Sequence, residues 1–150
     1  MIREQVYSAV FALFAGLTSG NGPLFKTATR RTTTFDQVLP NDTPCILFKQ
    51  GPETAEYKLG RPTKWISRPT LVLYVTTDQS VDGTVVATQL LNPLVDAIVD
   101  AIQPDNPVTN ACTLGGLVSH CAVAGNIEII DGTLGDTAIA IIPLELVISP

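Results

Sequence analysis

The chain has 150 residues, the size of one domain with a single core, which excludes both a disulfide-stapled miniprotein and a multidomain machine. Hydrophobic residues make up 45% of it and charged residues only 15%, so we expect some apolar surface to be buried against another chain. The net charge of −5 has the wrong sign for a protein held to nucleic acid through its phosphates.

The charge is distributed unevenly along the chain. Residues 1–68 contain all nine basic side chains and five acidic ones, whereas residues 69–150 contain nine acidic side chains and neither Lys nor Arg. If the two parts face in different directions, each subunit is complementary to another copy of itself, which suits head-to-tail assembly into a ring. The alternative is that both parts contribute to one sheet and their charges mix over the surface.

The first residues of the chain predict an amphipathic helix. An apolar run follows Arg3 as in a signal peptide, but Glu4 and Gln5 interrupt the charged end, and the apolar residues are periodic. The expected apolar stripe contains Ile2, Val6, Ala9, Val10, Leu13 and Leu17, widened by Tyr7, Phe11 and Phe14. No other stretch has the ~18 consecutive apolar residues of a membrane span, so we expect no membrane partner.

The middle of the chain predicts strands and an arm. A Thr-rich strand is expected over residues 24–33, with Arg30 and Arg31 alternating across it, and a short strand over residues 45–50. The polar residues 51–66 predict a single long hairpin or a mobile arm that becomes ordered on docking.

The clearest strand is PTLVLYVTT, in which Leu71, Leu73 and Val75 share one face. A helix follows over residues 84–103, with Asn92 as the cap of a regular segment that begins at Pro93. Its expected buried stripe is Leu90, Leu94, Ala97, Ile98, Ala101 and Ile102, and its expected solvent-facing residues are Asp96, Asp100 and Gln103.

The rest of the chain is β-like and ends in a strand that is apolar on both faces, where Pro143 requires a bulge or an unpaired edge position. We therefore predict a single α+β domain over residues 1–150: a mainly antiparallel or mixed β-sheet packed by an N-terminal helix and one central long helix, with an extended hairpin arm.

The sequence contains little catalytic or metal-binding chemistry. His120 lies between Ser119 and Cys121 on a predicted strand. Neighbouring side chains of a strand point to opposite faces, so neither residue can be the catalytic nucleophile that His120 would activate. Cys45, Cys112 and Cys121 lack paired spacing, which favours reduced thiols in the cytosol and predicts neither a structural disulfide nor a zinc site.

One stretch is similar to a calcium loop. Residues 78–83, DQSVDG, match its first half, but Gln89 stands where the bidentate Glu belongs, and a strand-to-helix turn explains the same residues. Since no G-x-S-x-G, phosphate-loop or dinucleotide fingerprint is found either, we expect no enzyme and no cofactor.

The candidate functional residues are therefore those of a subunit or partner interface. Trp65 is an aromatic candidate among basic neighbours, either as an anchor for a partner or as a core residue at the base of the hairpin. The expected basic side of the subunit contact is Arg30, Arg31, Lys58, Arg61 and Lys64. The expected acidic side is Asp96, Asp100 and Asp105.

The order of elements and several stretches resemble small tail proteins of long-tailed phages. These stretches are MIREQVYSAVFALF, FKTATRR, CILFKQGPE, PTKW, LLNPLVDAIVDAIQPD, TLGGLVSHC and EIIDGTLGDTAIAIIPLELV. The most similar family is the phage tail terminator of the minor tail protein U type. This resemblance implies an α+β subunit without a cofactor that forms a hexameric ring, caps the tail tube and meets the head-tail connector or neck protein.

The resemblance further implies a location at the head-tail junction of a virion, with assembly in the host cytoplasm. DNA would pass through the lumen of the ring without specific binding, and an acidic C-terminal part lining that lumen would not hold phosphates. Two alternatives stay open. One is a head-closure or neck protein; the other is a small-molecule binding module or weak hydrolase, which a thiolate of lowered pKa beside His120 would favour.

Overall fold

The computed structural model describes residues 3–31, 42–77, 86–132 and 136–149. Two helices and ten strands lie in these residues. In chain order they are α1 (Arg3–Ala15), β1 (Thr18–Ser19), β2 (Gly22–Pro23), β3 (Thr27–Thr29), β4 (Cys45–Lys49), β5 (Glu53–Glu56), β6 (Lys64–Ser67), β7 (Thr70–Thr76), α2 (Ala87–Ala101), β8 (His120–Val123), β9 (Glu128–Asp131) and β10 (Thr137–Ile148).

Strand β10 is the axis of the main sheet. Strand β10 pairs Pro143 with Thr70 of β7 and Leu146 with Ser67 of β6. Both pairs belong to one continuous antiparallel register, so β7 and β6 follow each other along the same edge of β10. Strands β9 and β8 pair with its other edge, and β4 and β5 extend the sheet beyond β7 and β6. All these pairs are antiparallel, while β3 joins β4 in parallel, and β1 and β2 form a separate small hairpin. The predicted α+β class, with helices packed on a mixed sheet, is confirmed.

The residues of β10 alternate between two environments, as the period of a strand requires. Its core-facing side chains are Ala138, Ala140, Ile142, Leu144, Leu146 and Ile148, none more than 1% exposed. The intervening side chains are partly exposed. On β7, Leu71, Leu73 and Val75 are buried as predicted. A smaller apolar cluster on the opposite face of the sheet contains Cys45, Leu47 and Tyr74.

Both helices pack on the core face of the sheet. The residues that α1 buries are Val6, Tyr7, Val10 and Phe14, so its stripe is centred on the aromatic side that the sequence treated as a flank. The residues that α2 buries are Ala87, Leu91, Leu94 and Ile98. Neither described helix is long and apolar enough to cross a membrane.

Two predictions about α2 were wrong. The helix does not begin at Pro93 with Asn92 as its cap, because it starts at Ala87 and contains Pro93 on its exposed side. The Gln89 side chain accepts the backbone N–H of Val86 at 3.0 Å, which satisfies a donor at the true start. Leu90 is 45% exposed instead of buried, since Leu91 occupies the position that faces the sheet.

The strand predicted over residues 24–33 is shorter than expected. Strand β3 covers only Thr27–Thr29, and the Thr29 hydroxyl accepts the backbone N–H of Arg31 in a local turn. Arg30 and Arg31 therefore follow the strand and do not alternate across it. Residues 32–33, the turn at 78–83 and Ile2 lie outside the described residues.

Pro143 lies in a central strand without interrupting its pairing with β7. The next N–H, from Leu144, donates to Pro69 on the β7 side, so the Pro143 nitrogen faces the opposite edge. On that edge the pairing with β9 stops at Ile141, and β8 ends with Val123 opposite Leu144. On this edge Pro143 only accepts, from the Ala124 N–H at 3.0 Å, so its missing donor is tolerated without a bulge in β10.

Candidate interaction surface

Residues 51–66 form a hairpin that continues the central sheet outward. Strand β4 pairs with β7, and β5 pairs with β6. Between these two ladders the β4–β5 segment contains one more residue than the β6–β7 segment opposite it, and Gly51 adopts φ +71° there. This extra residue is a bulge, which bends the ladder and directs its outer end. We refer to residues 53–67, β5, its loop and β6, as the arm.

The loop of the arm exposes both apolar and basic side chains. Tyr57 is 69% exposed and Leu59 is 91% exposed. A cleft of about 320 Å³ lies beside the loop. It is lined by Glu56, Lys58, Arg61, Pro62, Lys64 and Ser149. The structure thus brings together the three basic residues of the arm that the sequence singled out.

A partly buried hydrogen-bond network connects the base of the arm to α1. The Tyr7 hydroxyl donates to Glu53 Oε1 at 2.6 Å and lies 2.6 Å from the Ser67 hydroxyl. Because a carboxylate only accepts, Ser67 donates to Tyr7. Arg3 Nε donates to Glu53 Oε2 at 2.9 Å. Burial, followed by the hydrogen bond to Glu53, raises the pKa of Tyr7 to about 12. No sequence pattern predicts this network.

Trp65 joins the same anchor. It is half-buried against the core, and the Arg3 guanidinium lies 4.8 Å from the centre of its ring. This distance is within the range of a cation–π interaction. The indole therefore packs at the base of the hairpin, as one of its two sequence interpretations expected, and also stacks on Arg3. The other interpretation, an anchor for a partner, stays a prediction.

The network predicts a pH-dependent stability. The hydrogen bond from Tyr7 and the ion pair with Arg3 hold the pKa of Glu53 below its ordinary value of 4.5. The stabilisation is therefore complete above that value and is lost as the pH falls through the lower folded pKa. We expect the melting-temperature difference between wild type and Glu53→Gln to be largest at pH 6 to 7 and to shrink below about pH 4.5.

Glu56→Gln is the matched control for this measurement. It lies on the same strand, but Glu56 is exposed and its contact with Lys64 is 3.9 Å, a geometry worth little. A Glu53→Gln difference that stayed constant down to pH 3 would contradict the assignment of the charged carboxylate to this network.

The two arginines after β3 differ in their contacts. Arg30 forms an ion pair with Glu4, and its guanidinium lies 5.8 Å from the centre of the Phe48 ring. The hydrogen bond from Arg30 is the main cause of the lowered pKa of Glu4. Arg31 is exposed and forms no ion pair with any residue in the described ranges. Arg30 is therefore engaged within its own chain, whereas Arg31 has no such ion pair among the described residues.

The three predicted acidic residues also differ. Asp96 and Asp100 are exposed on α2 and form no ion pair with the described part of the chain. Asp105 accepts the backbone N–H of Gly115 at 2.9 Å and both the N–H and hydroxyl of Thr113, at 2.7 and 2.8 Å. The hydrogen bond from Gly115 is the main cause of the lowered pKa of Asp105, and the two bonds from Thr113 lower that pKa further. The Asp105 carboxylate thus holds the loop after α2.

Both halves of the chain contribute to one sheet, as the alternative for the charge distribution expected, yet their ion pairs remain largely separate. The pairs of Arg3 with Glu53, Arg30 with Glu4 and Lys64 with Glu56 all lie within residues 1–68. Among the described acidic residues of the second part, only Glu145 forms an ion pair, with Arg68 at 4.0 Å. Most of the described acidic side chains of the second part therefore have no ion pair within the described residues.

The hydrolase alternative requires His120 of β8 and a reactive cysteine beside it. Cys45, Cys112 and Cys121 are all buried with free thiols. Burial, followed by the nearby Cys112, raises the pKa of Cys121 to about 12, the reverse of what a cysteine nucleophile needs. His120 pairs with Val147, on the opposite face of the sheet from the buried Cys121. No cluster of three or more His, Cys, Asp or Glu side chains in the described residues is placed to hold a metal ion.

No protein-family model and no curated protein matches this chain. In the solved structures, the chain is similar to one from the virion of a native gene transfer agent (GTA) particle. The match covers 99% of this chain and 90% of that one, with a TM-score of 0.55 and 6% sequence identity. At this identity the likeness establishes the fold alone.

Proposed function

We propose that this chain is a structural protein of a phage-type virion, a tail terminator whose subunits form a hexameric ring that caps the tail tube. The observation that carries the proposal is the fold shared with a virion chain over 99% of the present chain. The family resemblance of the sequence supports the more specific role. The buried Cys121 thiol with its raised pKa does not favour the hydrolase alternative.

The charges support assembly between copies. Arg31, Lys58 and Arg61 on one side, and Asp96 and Asp100 on the other, lack ion pairs within the described part of the chain. Opposite charges on different surfaces of one subunit favour head-to-tail contacts, which close into a ring when the rotation permits. In this proposal the remaining acidic surface faces the lumen, so that DNA passes without binding.

The internal ion pair of Arg30 changes how the interface is tested. Reversing Arg30 to Glu would place a carboxylate beside Glu4 and disturb the chain itself. Arg31→Glu is the informative variant, because Arg31 is exposed and forms no ion pair with a described residue.

The test combines solution mass with binding. We expect light scattering after size exclusion to give the mass of six subunits, with less of this species at high salt and in Arg31→Glu, because exposed opposite charges are screened. We further expect the wild-type chain to sediment with purified tail tubes. Sedimentation with portal-bearing heads alone would instead establish the head-closure or neck role. A monomer that binds neither particle would contradict both.

A further inference from the structure

We propose that the tip of the arm of one subunit docks on the exposed flank of α2 in the next copy of the chain. The inference rests on the proposed function and specifies which surfaces meet in the ring. The tip consists of residues 57–61 of the loop. The flank is the row Val86, Leu90, Pro93 and Ala97, bordered by Asp96 and Asp100.

The apolar parts of the two surfaces match. On the tip, Tyr57 and Leu59 project as a small apolar knob, 69% and 91% exposed. On α2, Val86 is 42% and Leu90 is 45% exposed, and Pro93 is exposed on the same row. These positions follow a spacing of three and four residues, which places them along one side of the helix. Each surface exposes apolar area that a contact would bury.

The charges around these apolar parts are complementary. Lys58 and Arg61 flank Leu59, and neither forms an ion pair with a described residue. Asp96 and Asp100 lie one turn apart on the adjoining row of α2, three residues after Pro93 and Ala97. An apolar centre with a charged rim is the usual composition of a specific interface. Opposite charges in that rim favour one orientation of docking.

The two surfaces are held apart within one chain. The base of the arm is bound to α1 through Tyr7 and Glu53, whereas α2 packs on β7 and β10. The ion pairs of the arm join Glu53 to Arg3 of α1, and Lys64 to Glu56 within the arm itself. Because knob and flank are different patches, their contact is head-to-tail and repeats from copy to copy.

Thiol cross-linking tests this contact directly. The native cysteines are 1%, 7% and 1% exposed, so a bis-maleimide at neutral pH will react with introduced cysteines in preference to them. We expect Leu59→Cys combined with Leu90→Cys to give a ladder of covalent oligomers that ends at the ring. Leu59→Cys combined with Val108→Cys, which places the second thiol at another position that is 89% exposed, should give no ladder.

Charge reversal gives a second, independent readout. We expect Lys58→Glu with Arg61→Glu to weaken association at low salt by at least about tenfold, and the further changes Asp96→Lys and Asp100→Lys to restore it. If the protein forms an oligomer that shows no Leu59→Cys to Leu90→Cys cross-link and is unaffected by either set of charge reversals, the proposed contact is wrong. The proposal of a ring would still stand in that case. A monomer without a ladder at every concentration would also overturn the contact, and tail-tube binding would then decide the proposed function separately.

Discussion

Replacing Ile142 with alanine is expected to lower the free energy of unfolding by about 2–5 kcal/mol, the range for a large-to-small change in a packed core. Ile142 is 0% exposed at the middle of β10 and pairs with Leu71, which is equally buried. The shortened side chain would leave a cavity between the sheet and the helices, which a well-packed interior fills only in part. Urea unfolding followed by the fluorescence of Trp65, the only tryptophan, measures the loss.

Ile141→Ala is the control for this change. It removes the same atoms from the next residue of the same strand, but Ile141 points to the other face and is partly exposed. We expect the loss for Ile141→Ala to be less than about half of that for Ile142→Ala, because less apolar area returns to water. Equal losses would show that the alternation of faces along β10 is wrong.

Replacing Gly51 with alanine is expected to destabilise the arm strongly. A Cβ at this position would lie 2.1 Å from the Arg68 carbonyl oxygen, a backbone atom that has no rotamer with which to move away. The residue also has φ +71°, a left-handed conformation that costs an L-residue roughly 1–2 kcal/mol by itself. The collision is relieved only if β5 moves away from β6. The free energy of unfolding measured in urea should therefore fall by more than about 2 kcal/mol.

Gly60→Ala separates strain from collision. Gly60 has φ +77°, but nothing lies within 4 Å of its Cβ position. We therefore expect only the backbone cost of roughly 1–2 kcal/mol at this position. Amide hydrogen exchange should also show weaker protection of β5 in Gly51→Ala and unchanged protection in Gly60→Ala. If the two variants behaved alike, the close approach of Gly51 to Arg68 would be wrong.

Some strands were predictable because their signals are local, whereas the strand expected over residues 24–33 is only Thr27–Thr29. Alternation along residues 70–76 identified the buried face of β7. The polar residues 51–66 predicted a hairpin or a mobile arm, and the structure contains a hairpin there. The faces of α2 were only partly predictable. The helical periodicity of the sequence allows either Leu90 or Leu91 to lie on the buried face. Packing against the sheet buries Leu91 and leaves Leu90 45% exposed.

The candidate surface depends more heavily on contacts between distant parts of the chain. Arg30 and Glu4 are separated by 26 residues, and Tyr7 and Ser67 by 60, so no spacing rule connects either pair. The predicted basic group therefore contained an arginine that is paired internally. The sequence also gave no reason to select Tyr57 and Leu59, whose exposure marks them only once the arm is placed.

Composition and periodicity were enough to predict the class of the fold, most of its core residues and the uneven distribution of charge, because these are properties of neighbouring residues. Which of the described charges are neutralised within the chain depends instead on the tertiary structure. An ion pair or a buried network depends on distances across the fold. The chain sets those distances through the register of β10 with β6 and β7 and through the packing of α1 against the arm.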